Sequence, residues 1–243
     1  MEISVAAEQI GELFGVIPVT NSLVVTWIIM AVILILGLAI KFGLRIIPSS
    51  LQNFVESFYE MSYEFVEGVL GEHTRVVYPF AITFFFFIAF GNLAGLLPGM
   101  GSITIDVIKH GESEALPLFR ALTADLNLTF ALALIAIISN QYFSIKFIGL
   151  KKYLHKFINF SSPINFFVGI LEIVSEFSKI LSFSFRLFGN VFAGEVLLSV
   201  MYFLVPVFVP IPFVLMEIFV GLMQAFVFSL LFIVFIKVSI AEH

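Results

Sequence analysis

The sequence contains no cysteine, which excludes disulfide bonds and thiolate metal sites. Charged residues are also scarce, at 12% of the 243 residues, which is about half the share that is usual in a soluble domain. Hydrophobic residues make up 60% of the chain, and the mean hydropathy is +1.12. Most of the chain must therefore be solvated by lipid, and the sequence predicts an all-α integral membrane protein that forms a single membrane domain over 1–243.

Basic residues are in deficit, and the formal net charge is -5. This balance excludes the basic surface of a nucleic-acid-binding protein. The four histidines are scattered without the spacing of a metal site, and the sequence shows no phosphate-binding loop or nucleophile–base set. We therefore expect no cofactor, no metal and no catalysis by the chain on its own.

Hydrophobic runs predict five or six helices. Simple spans are expected at 23–40, 78–97 and 125–143. The segment 51–70 differs, because four glutamates interrupt apolar residues that recur at helical spacing. It predicts an amphipathic surface helix whose acidic side is a poor match for anionic lipid and faces water or a basic protein surface.

The last third of the sequence predicts a long helical hairpin. Residues 164–205 contain no proline, and as one helix they would extend about 63 Å, against a hydrocarbon layer about 30 Å thick. The helix either breaks near Gly189 or Gly194, or it is steeply tilted. A return helix is expected at 213–238. The turn between the two helices is assigned to Pro206, Pro210 and Pro212.

The distribution of bases predicts the orientation. If the end of the first span is cytoplasmic, eight bases lie inside, and only Lys109 and Arg120 lie outside. The inside bases are Lys41, Arg45, Arg75, Lys146, Lys151, Lys152, Lys156 and Lys237. We expect the N-terminus outside and the C-terminus in the cytoplasm.

The N-terminal segment bears on the location of the protein. It contains glutamates but no base, so it has neither the positive region of a secretory signal nor the arginines of a transit peptide. The first hydrophobic run should therefore be retained. This favours a bacterial plasma membrane, although an organelle-encoded chain would look similar.

Ionisable residues occur inside the apolar segments of the hairpin. Each costs about 2.5–3.5 kcal/mol to insert, so their presence indicates function. They are Glu172, Glu176, Lys179, Arg186, Glu195 and Glu217. At about 100° per residue, one set of polar side chains falls within an arc of about 120°. This stripe comprises Glu172, Ser175, Glu176, Lys179, Ser182, Arg186 and Asn190. Such a stripe can line a water-accessible route.

Other polar residues of the hairpin lie on other faces. Glu195 points about 140° away from Glu172 around the same helix, and Glu217 shares a face with Gln224 on the return helix.

Each of these residues also has a structural interpretation. Glu176 and Lys179, three residues apart, suit a buried ion pair. Asn190 and Gln224 could simply form hydrogen bonds between helices. Arg186 differs, because no carboxylate lies three or four residues away and arginine cannot lose its proton. It needs a partner from another helix or another chain.

Several motifs carry a family resemblance over nearly the whole chain. Segments of subunit a of the F-type ATP synthase are resembled by RLFGNVFAGE, LMQAFVF, TADLNLT, SPINFFVGILEIVSEFSK and the closing AEH, and several long motifs in the right order make the resemblance highly specific. The resemblance implies a stator beside a ring of c subunits, with peripheral stalk b subunits and lipid as further partners. It also implies two half-channels that couple proton flow to rotation and ATP synthesis.

The resemblance implies roles for individual residues. Arg186 matches the family's essential arginine between the half-channels. Asn190, Glu195, Glu217 and Gln224 match residues of the outer half-channel and the helix contact. The inner side is matched by Glu172, Ser175 and Ser182, with Glu176 and Lys179 either structural or part of the inner half-channel.

One departure from the family pattern concerns the outer pair. Many relatives carry an acid and a histidine at the positions of Glu195 and Glu217, whereas both are glutamate here. If the two carboxyl groups approach one another, they cannot both ionise cheaply. We therefore expect this pair to share a proton and to relay it.

Two other classes of membrane protein remain alternatives. A secondary transporter would show internal repeats and interrupted helix pairs, and no convincing repeat is present. A structural scaffold would not need Arg186. Protons are the default coupling ion, and sodium is the alternative, because selectivity for sodium resides largely in the ring.

Overall fold

Helices dominate the computed structural model, which describes residues 7–13, 17–97, 99, 103–109, 112–157, 163–205 and 208–241. The helices are α1 (Asn21–Gly43), α2 (Ser50–Leu70), α3 (Thr74–Gly95), α4 (Leu126–Ile148), α5 (Leu150–Phe157), α6 (Pro163–Leu204) and α7 (Pro210–Ala241). Two antiparallel hairpins pair β1 (Gln9–Leu13) with β2 (Ile17–Thr20) and β3 (Thr104–Lys109) with β4 (Glu112–Pro117). Single 3-10 turns occupy Gly71–His73 and Leu122–Ala124.

Five helical segments of the described residues are long and apolar enough to cross a membrane. They are α1, the continuous stretch of α2 and α3, α4, α6 and α7. The described strands form only the two short hairpins. The predicted fold class, an all-α membrane protein with a long C-terminal helical hairpin, is confirmed.

The structure contains elements that the sequence did not reveal. Both β-hairpins were missed, and so was α5, which follows α4 after a single glycine in a left-handed conformation, Gly149. These elements are short and carry mixed polarity, so no hydrophobic period distinguishes them from loops.

Several helices extend beyond the predicted spans. α3 begins at Thr74 and α4 continues to Ile148, because a helix does not need to end where the lipid ends. α7 begins at Pro210, where the missing proline N–H would have no helical partner. Pro206 lies outside the described residues.

α6 is one helix of 42 residues, without a break at Gly189 or Gly194. A break is therefore excluded in these residues, and a steep tilt stays a prediction, because a helix of about 63 Å exceeds the hydrocarbon thickness twofold. Most side chains of its first half are exposed in the isolated chain. From Phe183 onward, a stripe that includes Leu187 and Val191 is buried against the bundle.

The core lies where α3, α4, α6 and α7 meet. Its fully buried side chains include Ile88, Leu187 and Phe228. Aromatic rings lock the helices together edge to face: Phe183 and Phe228 are 4.6 Å apart, and Phe84 and Phe232 are 5.1 Å apart, measured between ring centroids. This geometry is favourable for aromatic pairs and fixes α7 against α3 and α6.

Two glycines of α3 let the chain before α4 approach closely. A Cβ on Gly95 would lie 2.5 Å from Cβ and 3.2 Å from Cα of Ala121, and a Cβ on Gly91 would lie 2.7 Å from Leu122 Cδ2. Ala121 and Leu122 are buried. Small residues at helix contacts allow such close backbone approach within membranes. The contact positions the residues that immediately precede α4.

The Gly95→Ala substitution should destabilise the protein, because the Cβ of Ala121 cannot move without its backbone. Overpacking of this kind costs about 1–3 kcal/mol. Gly37→Ala in α1 is the matched control, since a Cβ there meets nothing within 4 Å and gains up to about 1 kcal/mol of helix propensity. The thermal unfolding midpoint of the purified complex should fall for Gly95→Ala and stay level or rise for Gly37→Ala. Equal midpoints for the two variants would contradict the close contact.

Candidate functional site

The polar stripe of α6 lies on the outside of the bundle. Ser182 and Asn190 are exposed and Arg186 is half-buried, while Phe183 and Leu187 on the other side are buried in the core. In a bilayer, this outward face would meet either lipid or another protein chain. A stripe of polar groups facing lipid is unfavourable, so the arrangement points to a covering partner.

Arg186 has one hydrogen bond in the described structure. Its Nη2 donates to Ser182 Oγ at 3.2 Å. No carboxylate of the described residues lies within ion-pair distance of the guanidinium. The nearest ionisable groups along α6 are Lys179 and Glu195, about 10 and 14 Å away along the helix axis. The described residues therefore leave the permanent charge of Arg186 uncompensated.

Asn190 and Gln224 join α6 to α7 one helical turn beyond Arg186. The Asn190 Nδ2 donates to Gln224 Oε1 at 2.8 Å. Gln224 is buried, and its Nε2 has no hydrogen-bond partner among the described residues. A buried amide donor without a partner costs about 1–3 kcal/mol. The contact thus holds the helices together and leaves one amide group with spare hydrogen-bonding capacity.

Glu195 and Glu217 line one small cavity between α3, α6 and α7. Its volume is about 20 Å³, enough for a single water molecule. Glu217 is buried, and a Cβ on Gly194 would overlap its carboxyl group. Gly194 is therefore the position that lets the carboxyl of one helix reach the other. The structure brings together the two glutamates that the sequence places 22 residues apart.

Polar groups from three other elements surround this pair of glutamates. The Asn92 side chain lines the same cavity, donates from Nδ2 to the Gly221 carbonyl at 2.9 Å, and accepts from Thr123 Oγ1 at 2.6 Å. The charge of Arg120 acts on Glu195. The sequence analysis did not assign Asn92, Thr123 or Arg120 to the site. Asn92 is a polar residue inside an apolar span, and this feature of the sequence could have identified it as a candidate site residue.

A second cluster lies nearer the other end of α6. Glu176 accepts from Lys179 Nζ at 2.7 Å and, through its second oxygen, from Gln141 Nε2 at 2.7 Å. Gln141 in turn accepts from the hydroxyl of Tyr153 on α5. The Lys179 ammonium also lies 5.0 Å from the ring centroid of Phe235. Every charged group of this cluster is compensated, which supports the structural interpretation of the Glu176–Lys179 pair.

The remaining predicted residues of the inner side lie close to this cluster. Glu172 and Ser175 are half-buried on α6, within one turn of Glu176. The sequence analysis missed Gln141 and Tyr153, because they come from α4 and α5 and no local pattern links them to α6.

The two clusters lie on either side of Arg186 along α6. Glu176 and Glu195 are 19 residues apart, which corresponds to about 28 Å along the axis of α6. Ionisable groups in apolar helices on either side of a cation that the described residues leave uncompensated are typical of ion-translocating membrane proteins, and that is the class this site indicates.

Comparison with known proteins identifies the family. A family model described as ATP synthase A chain matches residues 23–237. ATP synthase subunit a of Moorella thermoacetica is 33% identical over 230 residues, which cover 94% of each chain. That of Geotalea daltonii is 32% identical over 91% of this chain and 88% of its own. The chloroplastic subunit a of Oedogonium cardiacum is 36% identical over 91% of this chain and 82% of its own. The chain belongs to the ATP synthase A chain family, and the resemblance found in the sequence is confirmed.

The contact between Gly194 and Glu217 yields a test. Gly194→Ala should lower ATP-driven proton pumping in vesicles, because the added methyl group displaces the Glu217 carboxyl from the cavity that it shares with Glu195. Shortening that side chain should restore space, so Gly194→Ala combined with Glu217→Asp should pump better than Gly194→Ala alone. Wild-type pumping by Gly194→Ala, in a normally assembled complex, would show that the carboxyl does not need this position.

Proposed function

We propose that this chain conducts protons through two half-channels to a ring of c subunits, with Arg186 as the fixed cation between them. Membership of the family makes the chain the proton-translocating subunit a of the F-type ATP synthase membrane sector. Proton flow through it therefore serves ATP synthesis. The proposal concerns how the residues of this chain carry out that function.

The observation that carries the proposal is the uncompensated charge of Arg186. The guanidinium lies on the outer face of α6, bonded only to Ser182 among the described residues, and is flanked by exposed Leu181 and Phe185. A permanent cation in such surroundings is costly unless a carboxylate from another chain approaches it. A rotating ring brings one carboxylate after another to Arg186, so the arginine always finds a partner but no single ion pair is permanent.

Electrostatics give the order of events at Arg186. A rotor carboxyl that faces lipid must be protonated, because burial in an apolar medium penalises its charged form. On reaching Arg186 it can release its proton, since an opposite charge within about 4–6 Å favours the ionised form. The same cation repels a proton that would cross directly between the half-channels. Each charge that moves through is worth about 2.3 kcal/mol per 100 mV of membrane potential.

The outer half-channel is assigned to the cavity of Glu195 and Glu217. A protonated carboxyl of one glutamate can donate to a water in the cavity, which passes a proton on to the carboxylate of the other. The net result is the transfer of one proton from one glutamate to the other with no change of total charge. Asn92 and the Asn190–Gln224 contact fix the positions of the surrounding helices.

The inner half-channel is assigned to three polar side chains of α6 before Arg186, the half-buried Glu172 and Ser175 and the exposed Ser182. The Glu176–Lys179 pair, held by Gln141, lies beside this route. Because Lys179 is compensated by Glu176, it does not compete with Arg186 for the rotor carboxylate. The described polar side chains thus leave Arg186 as the cation that is available to the ring.

The further partners and the location follow from the same model. Peripheral stalk b subunits would hold the chain against rotation, and the subunit would contribute no catalytic group of its own. We place the N-terminus outside and the C-terminus in the cytoplasm of a bacterial cell, because the bases favour that orientation. Chloroplastic relatives of similar identity make an organelle membrane the second candidate location.

Arg186→Ala should abolish ATP-driven proton pumping in membrane vesicles while the complex still assembles. The lost cation leaves the rotor carboxyl without a group that favours its ionised form. Lys152→Ala removes an exposed base of α5 and serves as the control, with pumping at the wild-type level. Pumping by Arg186→Ala at the wild-type rate would make the arginine structural and refute the proposed mechanism.

Glu195→Gln and Glu217→Gln should each reduce proton pumping, because an amide cannot carry a proton through the shared cavity. Glu60→Gln, which removes an exposed carboxylate of α2, should leave pumping unchanged and controls for the loss of one negative charge. The measurement is the initial rate of vesicle acidification per assembled complex. Full activity in both cavity variants would refute the proposed proton transfer between Glu195 and Glu217.

A further inference from the structure

An apolar cavity of about 260 Å³ lies between α2, α3 and α7, away from the proposed proton route. Rings and aliphatic side chains from all three helices form its wall. They include Phe58 and Phe65 of α2, Ala81 and Phe85 of α3, and Phe226 and Ile233 of α7. None of the polar residues assigned to ion translocation lines it.

The hydroxyl groups around the cavity offer water few hydrogen-bond partners. The Ser62 Oγ and the Tyr78 hydroxyl are 2.7 Å apart and form a hydrogen bond with each other. The Ser229 Oγ is fully buried and has no partner among the described residues. A water molecule needs two to four polar partners, so water is not stabilised here. An engineered apolar cavity of about 150 Å³ is known to stay dry and to bind hydrocarbon, and this one is larger.

Ring contacts of α2 with α3 and α7 lie at the two ends of the cavity. The Phe58 ring lies 6.2 Å from that of Phe85 and 5.7 Å from that of Phe86, between centroids. Two turns further along α2, Phe65 lies 5.8 Å from Phe226. Between these ring contacts the wall extends along α7 from Phe226 to Ile233, about 10 Å of helix. The space is therefore elongated and runs beneath the surface helix.

We propose that this cavity binds one acyl chain of a zwitterionic phospholipid. The surrounding solvent is hydrocarbon, and an apolar wall without solvent inside loses dispersion contacts unless hydrocarbon fills it. A helix from another subunit is about 10–12 Å across and does not fit into this volume. A single acyl chain, elongated and flexible, does.

The charge of α2 selects the headgroup. Its side facing away from the cavity carries Glu56, Glu60, Glu64 and Glu67, of which the last three are exposed. A lipid whose chain enters beneath this helix brings its headgroup close to four carboxylates. An anionic headgroup is repelled there, whereas one that contains an ammonium group is attracted. The bound lipid fastens α2 to α3 and α7.

The proposal can be tested with the intact ATP synthase complex in vesicles of equal parts phosphatidylethanolamine and phosphatidylglycerol. A photoreactive diazirine analogue of leucine replaces Leu230, which lines the cavity. After irradiation, mass spectrometry identifies what is attached to this position. The expected product is an adduct with phosphatidylethanolamine.

Cavity-filling variants separate a bound chain from bulk lipid. Ala81→Leu and Ser229→Leu each add side-chain volume at a lining position, and either should abolish the adduct. Ala131→Leu adds the same volume as Ala81→Leu at an exposed position of α4 and should keep it. Two substitutions are used so that one remains if the other prevents assembly.

Four results would overturn the proposal. They are an adduct with a peptide of another subunit, an adduct mainly with phosphatidylglycerol, no lipid adduct in the wild type, and an adduct that persists in both filled variants. The last would mean that the probe samples bulk lipid rather than a chain held in the cavity.

Discussion

The constraint on which the rest of the molecule depends is the cost of a permanent cation at a surface that faces lipid. Arg186 cannot lose its proton, and this chain offers it only the Ser182 hydroxyl among the described residues. The bundle therefore has to present the arginine on its outer face, where a carboxylate from another chain can reach it. The long α6 provides that face, while its buried stripe of Phe183, Leu187 and Val191 anchors the helix to the core.

The two polar clusters beside Arg186 differ in how completely they are satisfied. Glu176 has a partner for each oxygen, from Lys179 and Gln141, and such a network is rigid. Glu195 and Glu217 instead share a cavity the size of one water molecule, and the charge of Arg120 acts on Glu195. Rigidity suits a support that neutralises Lys179, and a loosely satisfied pair of carboxyl groups suits the transfer of a proton.

Local patterns made the helices and the importance of Arg186 predictable. Apolar runs and the periodicity of 51–70 are properties of neighbouring residues, so they can be recognised from the sequence alone. The β-hairpins and α5 were not predicted, because short segments of mixed polarity take their conformation from what they pack against. Asn92 and Gln141 were missed for a related reason: each meets the site through a helix far away in the chain, 129 residues away for the Asn92–Gly221 contact.

The sequence by itself determined that the chain is embedded in a membrane, that its last third is a hairpin, and that Arg186 has no partner nearby in the sequence. Hydropathy, segment length and residue spacing are local properties that can be read directly from the sequence. Only the tertiary structure decided that α6 is unbroken, that Glu195 and Glu217 line one cavity, and that α2, α3 and α7 enclose another. These features depend on how closely helices approach, and small steric details set that distance. The missing Cβ of Gly194, which makes room for the Glu217 carboxyl, is one of them.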